Sequence, residues 1–205
     1  MFYKAEDPHN LAYNPFKAIV APRPIGWIST VSKDGIANLA PYSFFNGVSD
    51  VPPMLMFSSG GMKDSLRNVI ETGEFTFNFV GRAQQDMMNV SSGGYPPEVD
   101  EFDLAGIAMA RGETVACARV KDAPAAMECK VLEVVQPTVL NGSKSNYQMV
   151  IGQVTGIHID DAMITDGRFD LIKADPIMRC GYRDYVGVSG LFEMDRPAGG
   201  GDAKL

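Results

Sequence analysis

Glycine and proline punctuate this chain from end to end: its 205 residues hold 21 Gly and 13 Pro, and no single low-complexity stretch gathers them. Such spacing divides a chain into many short elements and favours a β-rich fold. With 45% hydrophobic and 21% charged residues, there is enough apolar side chain for one sizeable core. One domain is expected over residues 1–190, with a tail at 191–205 that is disordered from Pro197 onward.

Hydrophobic periodicity fills in the elements. Trp27, Ser29 and Val31 alternate with Ile28, Thr30 and Ser32 up to Lys33-Asp34-Gly35, and the pattern resumes at Ile36, which predicts a β-hairpin. Met54 to Phe57 is a short apolar run after Pro52-Pro53, expected to be a buried strand. Leu66, Val69 and Ile70 recur at helical spacing, with Asp64 or Ser65 as N-cap and Gly73 as stop, so a helix of two to three turns begins near Ser65. Phe75, Phe77 and Phe79 alternate with Thr76, Asn78 and Val80, placing three phenylalanines on one strand face. Ala83 to Val90 reads as a short helix. Met127 to Val135 and Tyr147 to Ile159 read as a long antiparallel pair, and a last strand is expected near Pro176 to Tyr182. Ser91 to Asp103 is rich in Gly, Pro and acids and is expected to pass over some site without regular structure. Many strands, two short helices and no βαβ rhythm predict a mainly β fold, a closed antiparallel barrel with Greek-key links.

Composition excludes several functions. A net charge of −7 with no long run of either sign disfavours nucleic acid and anionic lipid, so an anionic ligand needs a local basic pocket. No segment approaches the roughly 20 apolar residues of a membrane span, and the N-terminus has no signal-peptide pattern. Cys117, Cys129 and Cys180 are far apart, and neither His9 nor His158 sits at zinc-ligand spacing from them. Reduced thiols, no metal site and a cytoplasmic location are therefore expected. Neither Gly-x-Gly-x-x-Gly after a strand nor the P-loop pattern occurs, and no Gly-x-Ser-x-Gly elbow marks a hydrolase.

Two segments are candidates for chemistry. Ser58-Ser59-Gly60-Gly61-Met62-Lys63-Asp64-Ser65 brings hydroxyls, backbone N–H groups and one ammonium to a helix start. It reads either as a phosphate cradle or as a capped helix behind a Gly-rich turn. Arg23 to Thr30 and Asn38 to Asn46 crowd aromatics, hydroxyls and amides together, which suits either a flat heteroaromatic ligand or a barrel core built on Trp27, Phe44 and Phe45.

Taken together, Arg23-Pro24 to Thr30, Asn38 to Asn46, Pro52-Pro53, Ser58 to Asn68 and Gly73-Glu74-Phe75 resemble the flavin reductase-like family associated with flavoprotein oxygenases, including flavoredoxin-like members. Asp100-Glu101-Phe102, Ala105-Gly106, Glu128-Cys129, Gly152 to His158 and Arg179-Cys180-Gly181-Tyr182 extend the resemblance over about residues 15–185. It implies an FMN-binding split β-barrel that forms a homodimer, with flavin near the subunit interface and NADH or NADPH stacking on it. By that resemblance Trp27, Ile28, Ser29, Thr30, Ser43, Phe44, Phe45 and Asn46 contact the isoalloxazine and ribityl groups. Ser58, Ser59, Lys63 and Ser65 then surround the phosphate, with Asp64 capping the helix. His158 either lies near the nicotinamide or is structural, Thr30 tunes the ring, and Arg179 and Tyr182 belong to the terminal signature. Cys180, beside Arg179, is expected to be an inert thiol. The function implied is NAD(P)H-dependent reduction of flavin, with electrons passing to free flavin, a monooxygenase partner or another acceptor. A flavoredoxin-like electron carrier and a ligand-binding barrel without turnover are the rival readings.

Overall fold

A computed structural model of the chain describes residues 1–195 and 197, so the tail expected from Pro197 lies almost wholly outside the described residues. The strands are β1 (Gly26–Val31), β2 (Ala37–Tyr42), β3 (Phe45–Asp50), β4 (Pro53–Gly60), β5 (Glu74–Asn78), β6 (Met109–Ala110), β7 (Arg119–Val120), β8 (Ala125–Val135), β9 (Tyr147–Ile159), β10 (Ile164–Thr165), β11 (Arg168–Phe169), β12 (Ile177–Arg179) and β13 (Tyr185–Gly187). The helices are short: α1 (Phe16–Ile19), α2 (Asp64–Thr72), α3 (Gln85–Val90), α4 (Glu101–Ala105) and α5 (Leu171–Ala174).

Seven strands form one antiparallel sheet in the order β2-β1-β5-β8-β9-β4-β3. The two edge strands, β2 and β3, are consecutive in the chain and are joined by Ser43 and Phe44 alone. A two-residue link spans only about 10 Å, so the sheet has to curl until its edges meet. The Ser58 N–H donates to the Phe44 carbonyl at 2.8 Å, which extends the β3/β4 ladder by one rung into that link. The result is an antiparallel split barrel, closed everywhere except along the β2/β3 seam.

The predicted hairpin is present in register, with Gly26 opposite Tyr42 and Val31 opposite Ala37. Its turn needs Gly35, whose φ of 85° is a conformation that costs other residues a clash. The long pair β8/β9 is also present. The expected last strand stops at Arg179 and pairs with β13, which the periodicity did not reveal. Within the Ser91–Asp103 segment, the last three residues enter α4, capped by Asp100 through the Phe102 N–H.

Two cores flank the sheet. Inside the barrel, Ile28, Phe45, Phe57, Phe75, Phe77 and Val150 surround Leu66 and Val69, so α2 plugs the barrel with one face. Ile70, expected on that face, is half exposed. Outside, Trp27, Leu39, Met88, Phe102 and Ile177 form a second core under α3 and α4. The three alternating phenylalanines do not stack on one another. Phe75 meets Phe57 edge-on at 5.3 Å, Phe77 stacks on Phe45 at 4.6 Å, and Phe79, one residue beyond β5, meets Phe169 at 5.7 Å.

One carboxylate is fully buried. Glu128 accepts from the Glu113 N–H at 2.8 Å, from the Thr114 N–H at 2.5 Å and from the Thr114 hydroxyl at 2.6 Å, and meets His158 Nε2 at 2.5 Å. Burial pushes its pKa up, but the hydrogen bonds of Thr114, Glu113 and His158 outweigh it and bring the value down to about 2. Cys117 and Cys129 are buried free thiols, and burial pushes both up to about 12, as inert core residues require.

Two outcomes follow from this packing. A Cβ at Gly26 would stand 2.4 Å from the Phe45 ring, so Gly26→Ala should destabilise the fold by about 1–3 kcal/mol; an unchanged urea midpoint would show that β1 and β3 are not in contact. Glu128, ionised in the fold down to about pH 2, contributes stability that is full above its unfolded pKa and drains away as pH falls from about 4.5 toward 2. Glu128→Gln should therefore cost about 3 kcal/mol at pH 7 and clearly less at pH 3, whereas an equal cost at both values would remove the carboxylate from this role.

Candidate functional site

A cavity of about 600 Å³ opens at the barrel seam. Asn38, Ala40 and Tyr42 reach it from β2, Ser43 and Phe44 from the link, Ser58 and Gly60 from β4, and Lys63, Asp64, Ser65 and Arg67 from the start of α2. Tyr147, paired with Gly60 at the first residue of β9, completes one wall. Ser91 to Tyr95, with Pro97 and Glu101, complete the lining, so the Gly- and Pro-rich excursion borders this cavity. Its first residue is tied to the sheet, because the Trp27 indole N–H donates to Ser91 Oγ at 2.9 Å.

The floor is the N-terminus of α2. Lys63 is the N-cap, in extended conformation, and no side chain caps the helix, which leaves its first-turn N–H groups without a side-chain partner at a helix end that lines the cavity. The capping role expected of Asp64 is not met: Asp64 is the first helical residue, and its carboxylate is turned to Arg67, three residues on, at 2.6 Å. That pair neutralises the acid nearest the floor. Glu101 is the second acid on the cavity; it is buried and accepts the Leu39 N–H at 2.9 Å, and burial raises its pKa. Against these stand Lys63, Lys17 and Arg67.

Lys17 is held in place from behind. The buried Arg23 guanidinium donates to the carbonyls of Lys17, Val20 and Cys180, the last at 2.6 Å, and so binds α1 and the segment after β12 to the start of β1. Phe44 lies beneath both cations, 6.0 Å from the Lys17 ammonium and 5.9 Å from the Arg23 guanidinium.

Tyr42 is buried against Phe57, and its Oη, shielded from the cavity, lies beside the hydroxyls of Ser65 and Ser59. Burial raises its pKa, and the neighbouring Asp64 and Glu101 add to this while Ser65 and Ser59 oppose it, so the phenol stays protonated.

Of the residues singled out from the sequence, Ser43, Phe44, Ser58, Lys63, Asp64 and Ser65 come together here. Trp27, Ile28, Ser29 and Thr30 do not. Because β1 has a core on each face, Ile28 enters the barrel and Trp27 the outer core. Ser29 Oγ donates to the Ala118 carbonyl at 2.5 Å, and Thr30 Oγ1 accepts from Asn68 at 3.0 Å. No face of that strand is left for a ring. Phe45 is also inside the barrel, Asn46 is exposed outside the cavity, and Ser59 is buried with its hydroxyl on the Gly61 carbonyl at 3.1 Å. Arg179 donates to the Tyr182 carbonyl at 2.6 Å and lies over Tyr185, while Tyr182 meets Tyr13. His158 sits eleven residues along β9 from Tyr147, up to about 36 Å away at 3.3 Å per residue, in a separate polar groove with Arg119 and Lys121.

Lys17, Arg67 and Tyr147 were missed. Arg67 was readable as the i,i+3 partner of Asp64, and Tyr147 from the strand register once β4 and β9 are paired. Nothing local marks Lys17.

Comparison with known proteins agrees with this architecture. The family model described as "Flavin reductase like domain" matches residues 20–172. An uncharacterized protein of Aquifex aeolicus is 35% identical over 195 residues, 92% of this chain and 96% of that protein. The crystal structure of nitrilotriacetate monooxygenase component B from Bacillus cereus superposes with a TM-score of 0.85 at 28% identity, covering 95% of this chain and 98% of that one. Flavoredoxin of Desulfovibrio vulgaris shares the fold, with a TM-score of 0.76 at 22% identity over 97% of this chain and all of that one. With its split barrel and a family match over three-quarters of its length, the chain belongs to the flavin reductase-like domain family.

Proposed function

We propose that this protein binds FMN in the seam cavity and acts as an NAD(P)H-dependent oxidoreductase, passing electrons to free flavin or to a partner such as a monooxygenase. One observation carries the reading: the uncapped N-terminus of α2 opens onto the cavity between Lys63 and Lys17, a setting that favours a phosphate dianion. The residues thus fit a phosphorylated flavin, and component B of a monooxygenase among its structural relatives supports the same class.

FMN, when bound, supplies the hydride and electron transfer. The chain's part is binding and shielding. The first-turn N–H groups of α2, Lys63 and Lys17 would hold the phosphate, while Asp64 is kept from repelling it by Arg67. Phe44 and Tyr147, whose rings meet at 5.7 Å, would flank the ligand, and Ser91 to Tyr95 would limit water. Thr30 and His158 carry no step on a flavin held by the same subunit, since both are engaged elsewhere. The second reading is an electron carrier of the flavoredoxin kind, since a flavoredoxin shares the fold.

A cytoplasmic homodimer completes the proposal. Among the described residues no helix is long and apolar enough to cross a membrane. Ile157 and Ile159 are exposed on one face of β9, and Leu191, Phe192 and Met194 are exposed beyond β13, apolar surface that a second copy would cover.

Purified protein loaded with FMN should bleach promptly on anaerobic addition of NADH or NADPH. Retained FMN that stays oxidised would identify the carrier instead, and failure to take up FMN would overturn the reading. Sedimentation equilibrium should return twice the chain mass, and a monomer with FMN fully bound would remove the homodimer.

A further inference from the structure

The groove at the far end of β9 is lined by groups that the proposed function leaves unused. It encloses about 470 Å³, with Arg119 at the start of β7, Lys121 just beyond β7 and His158 near the end of β9 in its wall. Two permanent cations thus share one concavity on a chain whose net charge is −7.

Pairing decides whether that charge is available to a ligand. Asp122 and Asp160 line the same groove, yet among the described residues neither Arg119 nor Lys121 enters an ion pair. Asp160 turns its carboxylate to the Ala162 N–H at 2.9 Å, as the cap of the turn at Asp161–Met163. Asp122 is exposed, where water screens its charge. Arg119 is less well solvated: it is partly buried, and its Nε is enclosed without a hydrogen-bond partner. A guanidinium drawn partly out of water without a counter-ion is costly, and an anion from solution offsets that cost through charge-assisted hydrogen bonds. With Nε closed off, Arg119 meets such an anion through its terminal nitrogens.

The groove is also held rigid. His158 Nε2 lies 2.5 Å from Glu128, and that fully buried carboxylate is fixed in turn by the Glu113 and Thr114 N–H groups. A wall set in place before binding loses little entropy when a ligand arrives.

We propose that this groove is a binding site for an oxyanion, the phosphate or carboxylate group of a small molecule, held by Arg119 and Lys121 beside His158. It shares no lining residue with the seam cavity, so it stands or falls independently of the flavin reading. Ile157 and Ile159, offered above to a second copy, also border the groove, and the test therefore uses the full chain in its own state of association.

The imidazole resonances report binding directly, because the chain has two histidines and His9 does not line the groove. Inorganic phosphate and succinate are titrated separately at constant pH and ionic strength, with His9→Gln to assign the signals. His158 should shift saturably while His9 stays still, and Arg119→Gln should weaken the binding about tenfold, with a smaller loss for Lys121→Gln. Saturation by either anion upholds the site, and the tighter of the two names the group it takes. No saturable shift, equal shifts of both histidines, or an unchanged titration in Arg119→Gln overturns the proposal. Should Arg119→Gln fail to fold, Lys121→Gln at its exposed position decides, an unchanged titration there contradicting the site.

Discussion

The two-residue link between β2 and β3 is the constraint from which the rest follows. Because Ser43 and Phe44 join the outermost strands of a seven-stranded sheet, the sheet cannot lie open. It must roll up, and rolling up creates an interior. Leu66 and Val69 of α2 fill that interior, which fixes where the helix starts, and the start of α2 falls at the seam. The cavity, its cationic floor and its aromatic wall are thus consequences of barrel closure.

Charge within the cavity is arranged so that an anion meets little opposition. A chain of net charge −7 has two acids at the site, and each is occupied. Asp64 is paired with Arg67, and Glu101 is buried on the Leu39 N–H of the edge strand β2. The same carboxylate that would repel a ligand therefore blunts an exposed sheet edge. Arg23 has a comparable double use, since it joins α1 to the segment after β12 and thereby brings Lys17 to the site.

Much of this was legible in the residues. Period-two alternation located β1, β2, β8 and β9, and the Gly-rich turn before Ser65 pointed to the helix start that forms the cavity floor. For β1 the residues left two readings open, a ligand surface and a barrel core, and the resemblance pointed to the first. Trp27 and Ser29 share one face and Ile28 and Thr30 the other, but both faces are covered, and Ser29 and Thr30 are satisfied inside. Period says which residues share a face and not what covers it. His158 was left open between two roles: its segment reads as a strand, and strand length carries it to the far end of β9, where Glu128 holds it. Lys17 was invisible because it is held by Arg23, whose guanidinium also binds the Cys180 carbonyl, a partner distant in sequence.

The central claim is that the flavin phosphate rests on the N-terminus of α2 at the barrel seam. A crystal structure of the chain with FMN measures this most directly. The account predicts the phosphate within hydrogen-bond distance of the Ser65 and Leu66 N–H groups, with Lys63 beside it. Flavin bound instead in the groove of His158, Arg119 and Lys121, with the seam cavity left to water, would contradict it.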